Sequence, residues 1–132
     1  MKVPLPKKSL YVFCFSSLIF LVPVFADSTV ELEVRLKSFS VRAKTQTAAS
    51  GPIRFVAKNV DTEEHELVVR KKEGGLFKEM GEIEAIAPGT GKELTLQLPP
   101  GRYELSCQIV EKEEGETIDH YKKGMHRELV VR

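Results

Sequence analysis

Cysteine is nearly absent from this sequence, which has two in 132 residues. One, Cys14, lies in an apolar N-terminal segment, so the rest of the chain holds a single thiol, Cys107. A lone thiol has no disulfide partner, so the fold cannot be that of a disulfide-stapled secreted module. An excess of either charge is missing too. Twenty Lys and Arg stand against nineteen Asp and Glu, which leaves no basic surplus for nucleic acid. The chain also lacks internal repeats, low-complexity tracts beyond one acidic run near Glu111, and any convincing long helical pattern.

The one long apolar run, Leu10 to Phe25, follows Lys2, Lys7 and Lys8 and ends at Val24-Phe25-Ala26. A basic start, an apolar core and a small-residue end predict a secretory signal peptide over residues 1–26. The apolar core is short for a membrane span, and Pro23 sits near its end. Tyr11-Val12-Phe13 ahead of Cys14 lacks the small residues of a lipoprotein signal. Cleavage after Ala26 leaves residues 27–132, and the net charge falls from +1 to −2 because three lysines depart. That length suits one domain with its own core. The expectation is a periplasmic or otherwise extracytoplasmic monomer with no membrane span in the mature chain.

Period two dominates the mature sequence and predicts strands. Val30, Leu32 and Val34 alternate with charged residues, and Ile53, Phe55 and Ala57 alternate with Arg54, Val56 and Lys58 after Pro52 at a strand start. Lys44 to Gly51 reads as a loop or irregular edge, and Asn59 to Glu64 as a polar connection before a strand at His65–Arg70. Lys71 to Met80, with Gly74-Gly75, reads as a mobile loop with a short helical turn. Pro88-Gly89-Thr90-Gly91 is a turn, followed by Leu94, Leu96 and Leu98 on one face. Pro99-Pro100-Gly101 is a tight turn before a strand from Arg102 to about Val110, and Glu128–Val131 ends the chain as a strand. The predicted fold is all-β: a Greek-key antiparallel β-sandwich of seven to eight strands. On the strand beginning at Arg102, Tyr103, Leu105 and Cys107 share the inward face.

A lone thiol in an oxidising compartment is exposed to oxidation unless something occupies it. Later in the chain comes His120-Tyr121-Lys122-Lys123-Gly124-Met125, and His65 opens an earlier strand. Two imidazoles, one thiolate and one weak thioether form the donor set of a blue-type copper site. Each residue alone has a plainer reading: a surface histidine, a gap-filling methionine, a small buried cysteine. Zinc is a rival metal for Cys and two His, but a thioether is a poor zinc ligand. His126 adjoins Met125, and neighbouring side chains on an extended backbone point opposite ways, so it reads as a surface residue.

The chain resembles the cupredoxins, the plastocyanin and azurin superfamily of small blue copper proteins. The signposts are Asn59-Val60 ahead of His65-Glu66-Leu67-Val68-Val69, then Pro100-Gly101-Arg102-Tyr103-Glu104-Leu105-Ser106-Cys107, and last His120 through Met125. The resemblance implies a copper-binding domain over 27–132 holding one copper per chain. His65, Cys107 and His120 would be its strong ligands and Met125 the axial one. It also implies that Asn59 fixes the His65 loop through backbone hydrogen bonds. One departure stands out: most cupredoxins place the cysteine and second histidine a few residues apart, whereas here Gln108 to Asp119 intervene. The expected insertion is an exposed acidic hairpin turning at Gly115, flanking the metal.

The implied function is an exported type 1 copper protein carrying one electron at a time between redox partner proteins. The alternative is a periplasmic copper-binding protein for storage, delivery or sensing, since the same ligands serve both. A third reading is a metal-free sandwich acting as a binding module. An enzyme is not expected, because reductases and oxidases of this superfamily need further domains and ligands, and the chain has three histidines. A dinuclear copper centre would need a second cysteine. Lys122 and Lys123 either bias docking toward acidic partners or line a solvated rim.

Overall fold

A computed structural model describes residues 28–132; the signal segment assigned to residues 1–26 lies outside the described residues. These residues form eleven strands. A four-stranded sheet contains β1 (Val30–Lys37), β2 (Ser40–Ala43), β4 (Gly51–Asn59) and β7 (Gly91–Leu98), in the order β2-β1-β4-β7. A five-stranded sheet contains β3 (Thr47–Ala48), β5 (His65–Glu73), β6 (Leu76–Ile86), β8 (Gly101–Ser106) and β11 (His126–Val131), in the order β3-β11-β8-β5-β6. The remaining two, β9 (Val110–Glu113) and β10 (Glu116–Asp119), pair only with each other. No helix among the described residues is long and apolar enough to cross a membrane.

The alternation in the sequence becomes the core directly. Leu32, Val34 and Leu36 of β1 lie beside Ile53, Phe55 and Ala57 of β4 on the inner face of one sheet, and Leu67, Val69, Leu105 and Leu129 line the other sheet's inner face. Each of these side chains larger than Ala57, withdrawn from water, contributes about 1.5–3 kcal/mol. Tyr103 closes the β7–β8 corner: its ring is buried and its hydroxyl donates to the Pro99 carbonyl at 2.7 Å.

The sandwich is as expected, but its pairing is mixed rather than wholly antiparallel. β1 runs parallel to β4, and β3 parallel to β11. The reason lies in Lys44–Gly51. That stretch crosses to the second sheet, where Val130 N–H donates to Gln46 O at 2.8 Å and Ser50 N–H to Arg132 O at 2.8 Å. It then returns beside β1 heading the same way. The strand count exceeds seven or eight because β2, β3 and the β9–β10 hairpin are short additions. The strand from Arg102 ends at Ser106 instead of Val110. Lys71–Met80 is no mobile loop with a helical turn: it is the β5–β6 hairpin, closed by Gly74 and Gly75 at φ 57° and 85°. Left-handed φ at both positions is what a tight hairpin turn demands.

Candidate metal centre

Strand register brings the candidate ligands to one end of the sandwich. Val68 of β5 lies opposite Ser106 of β8, and His126 of β11 lies opposite the same Ser106. The start of β5, the residue after β8 and the residue before β11 therefore meet, and they are His65, Cys107 and Met125. His120 follows β10 in the short loop that leads to Met125.

The turn before β5 is held from within. Asn59, fully buried, donates through Nδ2 to Glu63 O at 2.6 Å and Ile86 O at 2.8 Å, while its Oδ1 accepts from Asp61 N–H at 2.9 Å. This is the bracing role that the resemblance implied for Asn59. The loop from Asp119 to Met125 is braced similarly: Lys123 N–H donates to Asp119 O, Gly124 N–H to Tyr121 O and Met125 N–H to His120 O, each at 3.0 Å. Gly124 sits at φ 115°, and a Cβ there would meet Phe39 O at 3.1 Å, so only glycine lets the loop turn against the β1–β2 connection. Cys107 N–H donates to Met125 O at 3.0 Å, which ties thiol and thioether residues together through the backbone.

His65, Cys107, His120 and Met125 are all 0 % exposed. The Cys107 sulfur lies 4.0 Å from His65 Nδ1 and 3.5 Å from His120 Nδ1, and the two rings stand 5.2 Å apart. These three donors are close enough to hold one metal ion. Met125 shares the same buried cluster as Cys107. His126 is exposed and rests on the Tyr121 ring at 4.8 Å, away from the three.

Each imidazole turns its other nitrogen onto a carboxylate. His65 Nε2 lies 2.9 Å from Asp61 Oδ2, and His120 Nε2 lies 2.9 Å from Glu111 Oε1. A carboxylate oxygen can only accept, so each Nε2 is the donor, and a neutral ring held this way turns its Nδ1 lone pair toward the sulfur. Asp61 is held well below the usual carboxylate range, first by the His65 N–H and then by the Ser38 hydroxyl at 2.7 Å. Burial pushes the Cys107 thiol up, an effect partly offset by backbone N–H groups of Glu66 and Ile109. The thiol proton must therefore leave when a metal arrives.

Around this lies a supporting shell. The Phe39 ring meets His120 edge-on at 6.1 Å, with Lys123 4.8 Å above Phe39. Tyr121 O–H donates to Glu104 at 3.1 Å, and Glu104 also takes the Arg70 guanidinium. That chain pins the Asp119–Met125 loop to β5 and β8. Lys122 is exposed and reaches Asp119 at 3.3 Å. The acidic insertion is a hairpin turning at Glu114-Gly115, but Glu111 is only partly exposed and belongs to the site. Asp61, Glu111 and Phe39 were not anticipated from sequence. Asp61, four residues before His65, left a faint local signal; Glu111 left none.

Residues 10–118 match the cupredoxin-like domain family, a span that stops short of His120 and Met125. No curated protein sequence matches. Among solved structures, the chain is similar to auracyanin A from Chloroflexus aurantiacus, a "blue" copper protein, at TM-score 0.59 and 16% identity over 80% of this chain and 100% of that one. Reduced auracyanin from Roseiflexus castenholzii is similar at TM-score 0.56 and 18% identity, over 79% and 96%. Rusticyanin from Thiobacillus ferrooxidans is similar at TM-score 0.59 and 16% identity, over 79% and 77%.

Proposed function

Because the chain belongs to the cupredoxin-like domain family, we propose that it is an exported one-electron carrier with a single copper of the blue type, held by His65, Cys107, His120 and Met125. One observation carries the reading: two imidazole Nδ1 atoms and one thiol converge at a fully buried point, with both Nε2 atoms turned away onto carboxylates. This donor set fits copper. Thiolate and thioether are soft, imidazole suits both oxidation states, and a thioether makes a poor zinc ligand. Bound copper would supply a one-electron couple.

The chain's own residues supply the rest. Asn59 braces the turn that carries His65, the Met125 carbonyl anchors Cys107, and the Asp119–Met125 turns fix His120. Donors held this firmly move little when the charge between them changes, so the reorganisation that slows electron transfer is small. Complete burial of all four residues excludes water and keeps exchanging ligands out. It favours passing electrons over releasing metal, and so the carrier over a storage or delivery protein. The copper proteins auracyanin A and rusticyanin share the fold.

The test is an absorption spectrum of the purified mature chain with Cu(II). The expected result is intense thiolate-to-copper charge transfer in the visible and reversible one-electron reduction. A colourless, redox-silent complex at full occupancy would refute the carrier and leave storage or delivery.

A further inference from the structure

The two carboxylates on the histidines have different origins. Asp61 belongs to the turn that carries His65 itself. Glu111 belongs to β9, in a hairpin that pairs with neither sheet. That hairpin folds back so that its first strand meets the residue following its second. His120 N–H donates to Ile109 O at 3.0 Å, and His120 Nε2 lies 2.9 Å from Glu111 Oε1, so one short segment grips His120 by backbone and by ring.

The ring has few other ways to be satisfied. It is fully buried, with Phe39 edge-on at 6.1 Å and His65 at 5.2 Å. A proton on Nδ1 would point toward the Cys107 sulfur 3.5 Å away, where a metal needs a lone pair. A proton on Nε2 needs an acceptor, and in this structure the hairpin provides it. An imidazole's second nitrogen fixes both tautomer and ring orientation when it donates to a carboxylate, and raises the donor strength of the first.

We propose that Glu111 is a positioning residue for His120: the inserted hairpin delivers its carboxylate to Nε2, selecting the tautomer that leaves Nδ1 free to bind metal. The inserted segment is thus part of the metal site and not an independent surface feature. The proposal rests on the copper reading for its consequence, while its geometry stands on the contacts of His120 with Ile109 and Glu111 alone.

The experiment therefore has two readouts. In the metal-free, 15N-labelled mature chain, long-range proton–nitrogen correlations report which nitrogen of His120 carries the proton. The wild type should show Nε2–H. Glu111→Gln should keep it, because the amide oxygen also accepts. Glu111→Ala should shift His120 toward Nδ1–H or a mixture, and so should Glu111→Lys, which can only donate. Amide-shift dispersion verifies that each variant is folded, and Glu111→Lys carries the test should the alanine variant not fold. Glu63, whose carboxylate approaches Glu111 and His120 within 4.8 Å, is the control: Glu63→Gln should leave the tautomer unchanged. In the second readout, competition for copper, Glu111→Ala should bind about 10–100-fold more weakly and Glu111→Gln much closer to wild type. An unchanged tautomer and affinity in both Glu111→Ala and Glu111→Lys would overturn the proposal. A wild-type chain that takes up no copper, yet shows the expected tautomer pattern, would overturn the copper reading and support the positioning role.

Discussion

Replacing Asn59 with alanine tests whether the His65 turn is held from inside. The side chain is 1 % exposed and makes three hydrogen bonds: two donated to Glu63 O and Ile86 O, one accepted from Asp61 N–H. Alanine removes all three and leaves two carbonyls and one N–H to find other partners. At about 1 kcal/mol net for each bond lost, and more wherever water cannot enter, the variant should lose about 3–4 kcal/mol. A domain of this size has about 5–15 kcal/mol in all, so the change is large. Equilibrium urea unfolding of the metal-free protein measures it, with an unchanged m-value showing that the native state unfolds as before. Copper affinity should fall as well, since Asp61 and His65 ride on the same turn. The backbone bonds Asn59 N–H to Thr90 O and Val60 N–H to Leu36 O, both 2.9 Å, survive the substitution. A loss below about 1 kcal/mol would mean those bonds hold the turn alone, and the bracing argument would fail.

Three further outcomes are expected. Cys107→Ala should abolish the visible band of the copper form, whereas Met125→Leu should keep a coloured site and raise its potential, because a lost weak donor disfavours Cu(II); equal loss of copper in both would refute the axial role of Met125. Glu104→Ala leaves the Arg70 guanidinium and the Tyr121 hydroxyl without their shared acceptor, and should cost about 3 kcal/mol by urea denaturation; a near-neutral result would show that the ligand loop is not anchored there. Burial holds the Cys107 proton on above the ordinary thiol range, so apparent copper affinity should climb about tenfold per pH unit through neutrality from that proton alone, read by competition titration, and a flat profile would contradict thiolate ligation.

The hairpin at Glu111–Asp119 shows where sequence reasoning thinned out. Its many glutamates correctly signalled solvent exposure and a turn at Gly115, because charged side chains resist burial. The same composition hid the one glutamate that turns inward. Lys71–Met80 failed in a related way: its second half lies on the edge strand β6 with both faces wet, as at Leu76, 76 % exposed, and no alternation of buried and exposed residues marks the strand there. There the Gly74-Gly75 pair was the surviving clue.

What the sequence determined by itself was local and chemical. Period-two patterning at Val30–Leu36, Ile53–Ala57 and Tyr103–Cys107 specified strands and their inner faces, since side chains alternate across any extended backbone. A single thiol, with His65, His120 and Met125, specified a donor set. Tertiary structure decided the rest. Whether β4 lies parallel or antiparallel to β1 depends on the path of Lys44–Gly51 between the sheets, and those polar residues suit several paths. Which carboxylates reach Nε2 of His65 and His120 depends on where Asp61 and Glu111 arrive after folding. A hydrogen bond needs its partners within about 3 Å, and for Glu111 that closeness comes from a hairpin doubling back, which no spacing along the chain encodes.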